Sequence, residues 1–458
     1  MRSRSVFLAI ESPRASNSQV LDVLMTVTAN MSTASPSAGK RRAVDAVADQ
    51  FVVAGTSFVL MILVRRELGK SAFGKYGLLI NAMILLTALQ TAWVGDSLTV
   101  LDRFDERIRS GLSASMLVFG VFGAACAYAL SARVVTPLVA AMFALMVLLW
   151  AVEEIGRRIF MARMTFRSLL INDIVYTVGA FTTVAALWAI AGKLSLAVVV
   201  AAMLVGAIIA ILCACAQLPH AELAWQRPSL RAARDLAPFA GWRAAQLSIR
   251  PLSQFAVRSL VIALVSYDAA GDLESARLFS QPAMTYVSGV ASFLLPMYAK
   301  QERERGKGIS IRIMTAALVL PVAAYGTIAL LLHTQIAARV FDDRNAVMPI
   351  AVLGWLAIAL LFAAGQPVAN LLVARQQSRD VFMVRAADSA LGLVCAALVI
   401  HFSSSNLAPW ALALGMVVGT IWLAVLASRG TKLRADDDAS SRPDALANAL
   451  SPYTGEAP

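Results

Sequence analysis

Cysteine and histidine are scarce in this chain, with four of one and three of the other among 458 residues. Cys126, Cys213, Cys215 and Cys395 all lie inside apolar segments, so no disulfide framework is implied and the thiols read as packing residues. His220, His333 and His401 stand far apart at segment ends, and none shares a metal-ligand spacing with a cysteine. Neither a metal centre nor a cofactor is expected. Charge is sparse too: 15% of residues are charged and 59% hydrophobic, with a mean hydropathy of +0.70, which excludes an ordinary soluble domain. Long polar connections are also missing, the longest being about 217–238. A soluble catalytic domain has nowhere to sit, no Ser/His/Asp, Cys/His or paired-carboxylate set assembles, and an enzyme is not expected.

What is present is a succession of apolar runs of bilayer length. Twelve spans are expected, at about 43–64, 77–100, 111–130, 134–152, 169–190, 194–216, 239–265, 273–299, 310–333, 347–373, 381–402 and 408–428. The fold class is therefore an all-α polytopic membrane protein. The net charge of +12 would suggest nucleic acid in a soluble protein, but Lys and Arg gather in alternate loops. With the N-terminus inside, the tails and even-numbered loops, with the span ends beside them, hold 28 and the odd ones 9. Both termini are thus expected to be cytoplasmic, and no nucleic-acid partner is expected. The first outer loop is the exception, with Arg65, Arg66, Lys70 and Lys75. Residues 1–42 are polar, lack an apolar run followed by a cleavage site, and are expected to be a disordered tail, as are 431–458. Met31 opens an alternative start.

An internal repeat divides the spans. LGKSAFGKYG at 68–77 corresponds in position to the loop before the eighth span, and the charged runs DRFDER at 102–107 and KQERER at 300–305 close the second and eighth spans. Two six-helix bundles, 43–235 and 236–430, are expected around a central cavity, related by an axis along the membrane normal. Pro251, Pro282, Pro321 and Pro367 fall inside spans of the second half, which reads as the more bent one.

The seventh span carries three arginines. At roughly 100° per residue Arg243, Arg250 and Arg258 fall within an arc of about 80°, and Gln246 and Gln254 extend the stripe. It runs roughly 22 Å, most of a hydrocarbon core. Each arginine facing lipid costs about 2.5 to 3.5 kcal/mol, so the stripe is expected to face a water-filled interior, or else to pair with carboxylates of neighbouring helices. Guanidinium groups bind phosphate bidentately, so the five residues are candidates for holding an anionic cargo. Asp49, Asp96 and Asp173, also inside spans, are candidates for a coupling proton or sodium ion. Arg385 and Asp388 have the spacing of an ordinary intrahelical ion pair, and Gly415 and Gly419 form a common helix-packing motif.

The first span and its exit, VADQFVVAGTSFVLMILVRRELGKSAFGKYGLL, with Arg66, Leu68, Gly69, Phe73, Gly74 and Tyr76, resembles the opening of the polysaccharide-type flippases of the multidrug/oligosaccharidyl-lipid/polysaccharide exporter (MOP) superfamily. Pro296 before a charged inner loop is similar too, whereas Asp272 to Arg277 stand where a second glycine-aromatic turn is expected. The resemblance implies twelve spans in two bundles over about 43–430, a bacterial inner membrane, and a glycan on a polyprenyl diphosphate as cargo. It also implies membrane lipid and the glycosyltransferases and polymerase of the same pathway as partners. A multidrug or metabolite antiporter of the same fold, which would prefer an acidic cavity, is the first alternative, and a non-transporting scaffold of a glycan-assembly complex the second.

Overall fold

A computed structural model describes residues 36–101, 104–223, 226–304, 310–341, 347–375 and 377–450. The expected tail over 1–35 and the last eight residues lie outside that set, as do parts of both charged runs. No strand occurs among the described residues. Among the described residues ten helices are long and apolar enough to cross a membrane, and one of them, Val44–Leu98, covers the first two expected spans. The expected eighth span falls on two shorter elements, Tyr267–Leu278 and Gln281–Glu304.

The helices are named in chain order. They begin with α1 (Pro36–Gln90), a π turn at Thr91–Gly95 and α2 (Asp96–Val100), followed by α3 (Glu106–Ser131), α4 (Pro137–Ala162), α5 (Phe166–Ala191) and α6 (Leu196–Gln217). The short α7 (His220–Leu223) leads to α8 (Leu230–Leu264), α9 (Tyr267–Leu278) and α10 (Gln281–Glu304). The remainder are α11 (Ile311–Leu331), α12 (His333–Phe341), α13 (Pro349–Ala374), α14 (Ser378–Phe402) and α15 (Ala408–Leu450). Helix starts follow local chemistry. Asp105 accepts from the N–H groups of Arg107 and Ile108, and Ser195, Ser229 and Ser266 cap α6, α8 and α9 in the same way. Pro137 opens α4, where its missing N–H costs nothing.

Residues 36–42 and 431–450, expected within structureless tails, begin α1 and continue α15. Helix α8 runs through Pro238 and Pro251 without a break in its assignment.

The chain divides into two compact units, 1–285 with 331–349, and 286–330 with 350–458. The division into six-helix bundles at 235/236 is a different grouping and remains a proposal. In the first unit α1 breaks at Gly69, whose φ of 79° and ψ of −176° lie in a region open in practice to glycine alone. Beyond the break α1 locks against α9 at backbone distance. A Cβ on Gly74 would lie 2.1 Å from the carbonyl oxygen of Tyr267, and one on Gly271 2.2 Å from that of Lys70. This corner accounts for the basic first loop. Lys70 pairs with Asp272 at 3.0 Å, Lys75 lies over the Tyr267 ring, and Arg65 donates to Ser275 and lies over Phe341. At this corner α9 gives Lys70 a carboxylate, Lys75 a ring and Arg65 a hydroxyl, while Arg66 pairs with Glu67 beside it at 3.7 Å.

In the second unit α14 and α15 form a close pair. The expected Arg385–Asp388 bond is present at 3.2 Å, and Gly415 and Gly419 face the backbone and carboxylate of Asp388, where any Cβ would clash. The glycine motif is thus a seat for a buried acid.

Candidate functional site

The five stripe residues share α8 but not one environment. Arg243 donates from Nε to Asp96 Oδ2 at 2.6 Å and from Nη1 to Gln246 Oε1 at 3.1 Å, so one expected ion-coupling acid is paired with one expected cargo residue. Arg250 and Gln254 are half-buried along the middle of the helix. Arg258 is 2% exposed, its Nε bonded to Glu274 Oε1 on α9 and its Nη1 to the carbonyl of Gln254 at 2.8 Å. A water-facing stripe is therefore not found at Arg258. Desolvating three guanidiniums in one column is costly without carboxylates, and α9 supplies one. Arg277 completes the group, with Nε 2.8 Å from Glu274 Oε2 and Nη1 on Gln281 at 3.0 Å. Gly77 makes the room: a Cβ there would lie 2.8 Å from Glu274 Cγ.

The same unit holds a second buried polar group of the other sign. Asp49 on α1 and Asp173 on α5 are brought together by Arg157 on α4, which bonds Asp173 Oδ1 through Nη1 and approaches Asp49 Oδ2 through Nη2 at 3.7 Å. Its Nε lies 3.5 Å from Glu154 Oε2, while Arg158 and Thr91 hold Glu154 Oε1 at 2.7 and 3.0 Å. Asn172 donates to Glu153 at 3.0 Å. Asp49 Oδ1, Asp173 Oδ2 and Glu153 Oε2 are buried with no hydrogen-bond partner. Beside this nest a cleft of about 150 Å³, walled by residues such as Met116, Ile155, Ile159 and Ile211, reaches Glu153.

Asp49 and Asp173 were thus legible as intramembrane acids, but the residues that join them were not. The fourth span ends at 152 on hydropathy, so Glu153, Glu154, Arg157 and Arg158 read as a cytoplasmic loop. Helix α4 carries them on to Ala162. The missed signal is their i,i+3 and i,i+4 pairing, which is helical. Glu274 was missed because it lies 16 residues after Arg258, at the start of the expected eighth span, where the resemblance would place a glycine-aromatic turn. No group of His, Cys, Asp and Glu with metal-holding geometry occurs among the described residues.

No family model matches this chain, and no curated protein matches it. Solved structures do. An inward-facing multidrug resistance MATE family transporter of the MOP superfamily is similar with a TM-score of 0.63 at 11% identity, over 85% of this chain and 96% of the other. The lipid II flippase MurJ, in an inward closed conformation, is similar with a TM-score of 0.67 at 8% identity, over 83% and 86%. A MOP superfamily transporter from Pyrococcus furiosus, described by the reverse polarity of its binding pocket, scores 0.59 at 11% identity over 86% and 95%. The chain has the fold of these transporters.

Proposed function

We propose that this multi-pass membrane protein is a transporter that moves an anionic, diphosphate-linked lipid oligosaccharide from the cytoplasmic to the outer leaflet by alternating access. The observation that carries the reading is the cationic face of α8, where Arg243 and Arg250 are half-buried within a helix long and apolar enough to cross a membrane. Arginines exposed to lipid are costly there, and guanidiniums bind anionic phosphate bidentately. Similarity to a lipid II flippase supports the choice of a lipid-linked cargo. Arg243 and Gln246 flank the same face and are assigned to the cargo with Arg250, together with Gln254. Arg258 is assigned instead to holding α8 on α9. Outward movement of an anion is favoured by an inside-negative potential, by about 2.3 kcal/mol per charge per 100 mV. The termini are assigned to the cytoplasm, following the distribution of Lys and Arg, and the membrane to a bacterial inner membrane, following the resemblance to the polysaccharide-type flippases.

The test is the appearance of a fluorescent polyprenyl-diphosphate sugar on the far side of proteoliposomes. Arg250→Ala is expected to lower the rate at least tenfold, and Arg250→Lys less. An unchanged rate in both variants, at equal amounts of folded protein, contradicts the assignment.

A further inference from the structure

Asp49 and Asp173, on two different helices, face one buried space, and Arg157 enters that space from a third helix. Its Nη1 is bonded to Asp173, its Nη2 lies 3.7 Å from Asp49 and its Nε 3.5 Å from Glu154, so three nitrogens address three carboxylates. The guanidinium is 7% exposed and Asp49 and Asp173 are 1% and 2% exposed. Two carboxylates turned toward each other inside a membrane protein are the donors a free monovalent cation would need. Here the positive charge is already present and is attached to the chain.

We propose that Arg157 is the resident cation of this nest, and that Asp49 and Asp173 consequently do not take up sodium or another free metal ion. A second cation would have to lie about 4 Å from the guanidinium. At an effective dielectric constant near 20 that repulsion weakens binding by roughly a thousandfold. Arg157 can serve two acids at once because its fork is planar and its charge permanent. The nest also has the charge to receive an ion once Arg157 is gone. Asp49, Glu153, Glu154 and Asp173 would then face Arg158 alone, and Asp49 Oδ1 and Asp173 Oδ2 already lack partners. The inference concerns the occupant of the nest and holds whatever the cargo is.

Equilibrium binding of radioactive sodium to the purified full chain, together with melting temperatures in sodium chloride and in choline chloride of equal ionic strength, tests it without any transport. The wild-type protein is expected to bind no sodium and to melt at the same temperature in both salts. Arg157→Gln is expected to bind about one sodium per chain and to melt higher in sodium by about 3 °C or more. Arg157→Lys, which keeps a tethered charge, should remain indifferent. Sodium binding or stabilisation in the wild-type protein overturns the proposal, as does a folded Gln variant that ignores sodium. A Gln variant that fails to fold in either salt contradicts the claim that sodium can take the vacated place.

Discussion

The first compact unit holds two buried charged groups of opposite sign, and they are built alike. Asp49 and Arg65 stand 16 residues apart on α1, about 24 Å of helix rise, with one group around each. Around Asp49, four carboxylates (Asp49, Glu153, Glu154, Asp173) accompany two guanidiniums, and Arg157 touches three of the four. Around Arg65, three guanidiniums (Arg65, Arg258, Arg277) accompany one carboxylate, Glu274, which binds two of them while Arg65 rests on the adjacent Ser275. In each group the residue of the minority sign is the bridge. Losing a majority charge relieves repulsion as well as breaking a bond, whereas losing the bridge leaves like charges facing each other in a dry interior.

That contrast orders the expected effects. Glu274→Ala removes the carboxylate shared by two buried arginines and should be the most damaging change, by about 3 to 5 kcal/mol, visible as a smaller folded, monodisperse peak after detergent extraction and the lowest melting temperature of the set. Arg258→Ala leaves Glu274 paired to Arg277 and should cost less, about 1 to 3 kcal/mol, so the variant should be recovered folded with a lowered melting temperature. If Arg258→Ala proves the worse of the two, the bridge rule is wrong. Gly69→Ala tests the corner through backbone strain alone, with an expected loss of about 1 to 3 kcal/mol in the same melting assay. The smallest effect belongs to Lys70→Ala. The two side chains of its pair with Asp272 are 40% and 31% exposed, so a change above about 1 kcal/mol is not expected.

Much of the fold could be read before any coordinates, because a bilayer demands long apolar helices and hydropathy reports them directly. The site was legible only in halves. The α8 arginines announced themselves by being charged in an apolar run, but what neutralises Arg258 lies on the next helix, and helical periodicity says nothing about partners across a turn. Arg157 and its neighbours were hidden for the converse reason. Four charges in six residues lower hydropathy enough to mimic a loop, although their pairing keeps the helix going. Part of the basic first loop's exception to the charge rule was hidden by distance, since the carboxylate that Lys70 meets on α9, Asp272, is 202 residues away in sequence. In the second unit the glycine pair of α15 showed that helices pack closely there, and only the structure showed that Asp388 is what they pack on.

The claim on which this division of roles rests is that Arg258 belongs to Glu274 and not to the cargo. A double-mutant cycle on Arg258→Ala and Glu274→Ala, read by unfolding of the purified protein, measures it. A coupling energy of at least about 1 kcal/mol is expected, with the double variant more stable than Glu274→Ala alone. Effects that simply add, within about 0.5 kcal/mol, contradict the pairing and return Arg258 to the cargo-binding stripe.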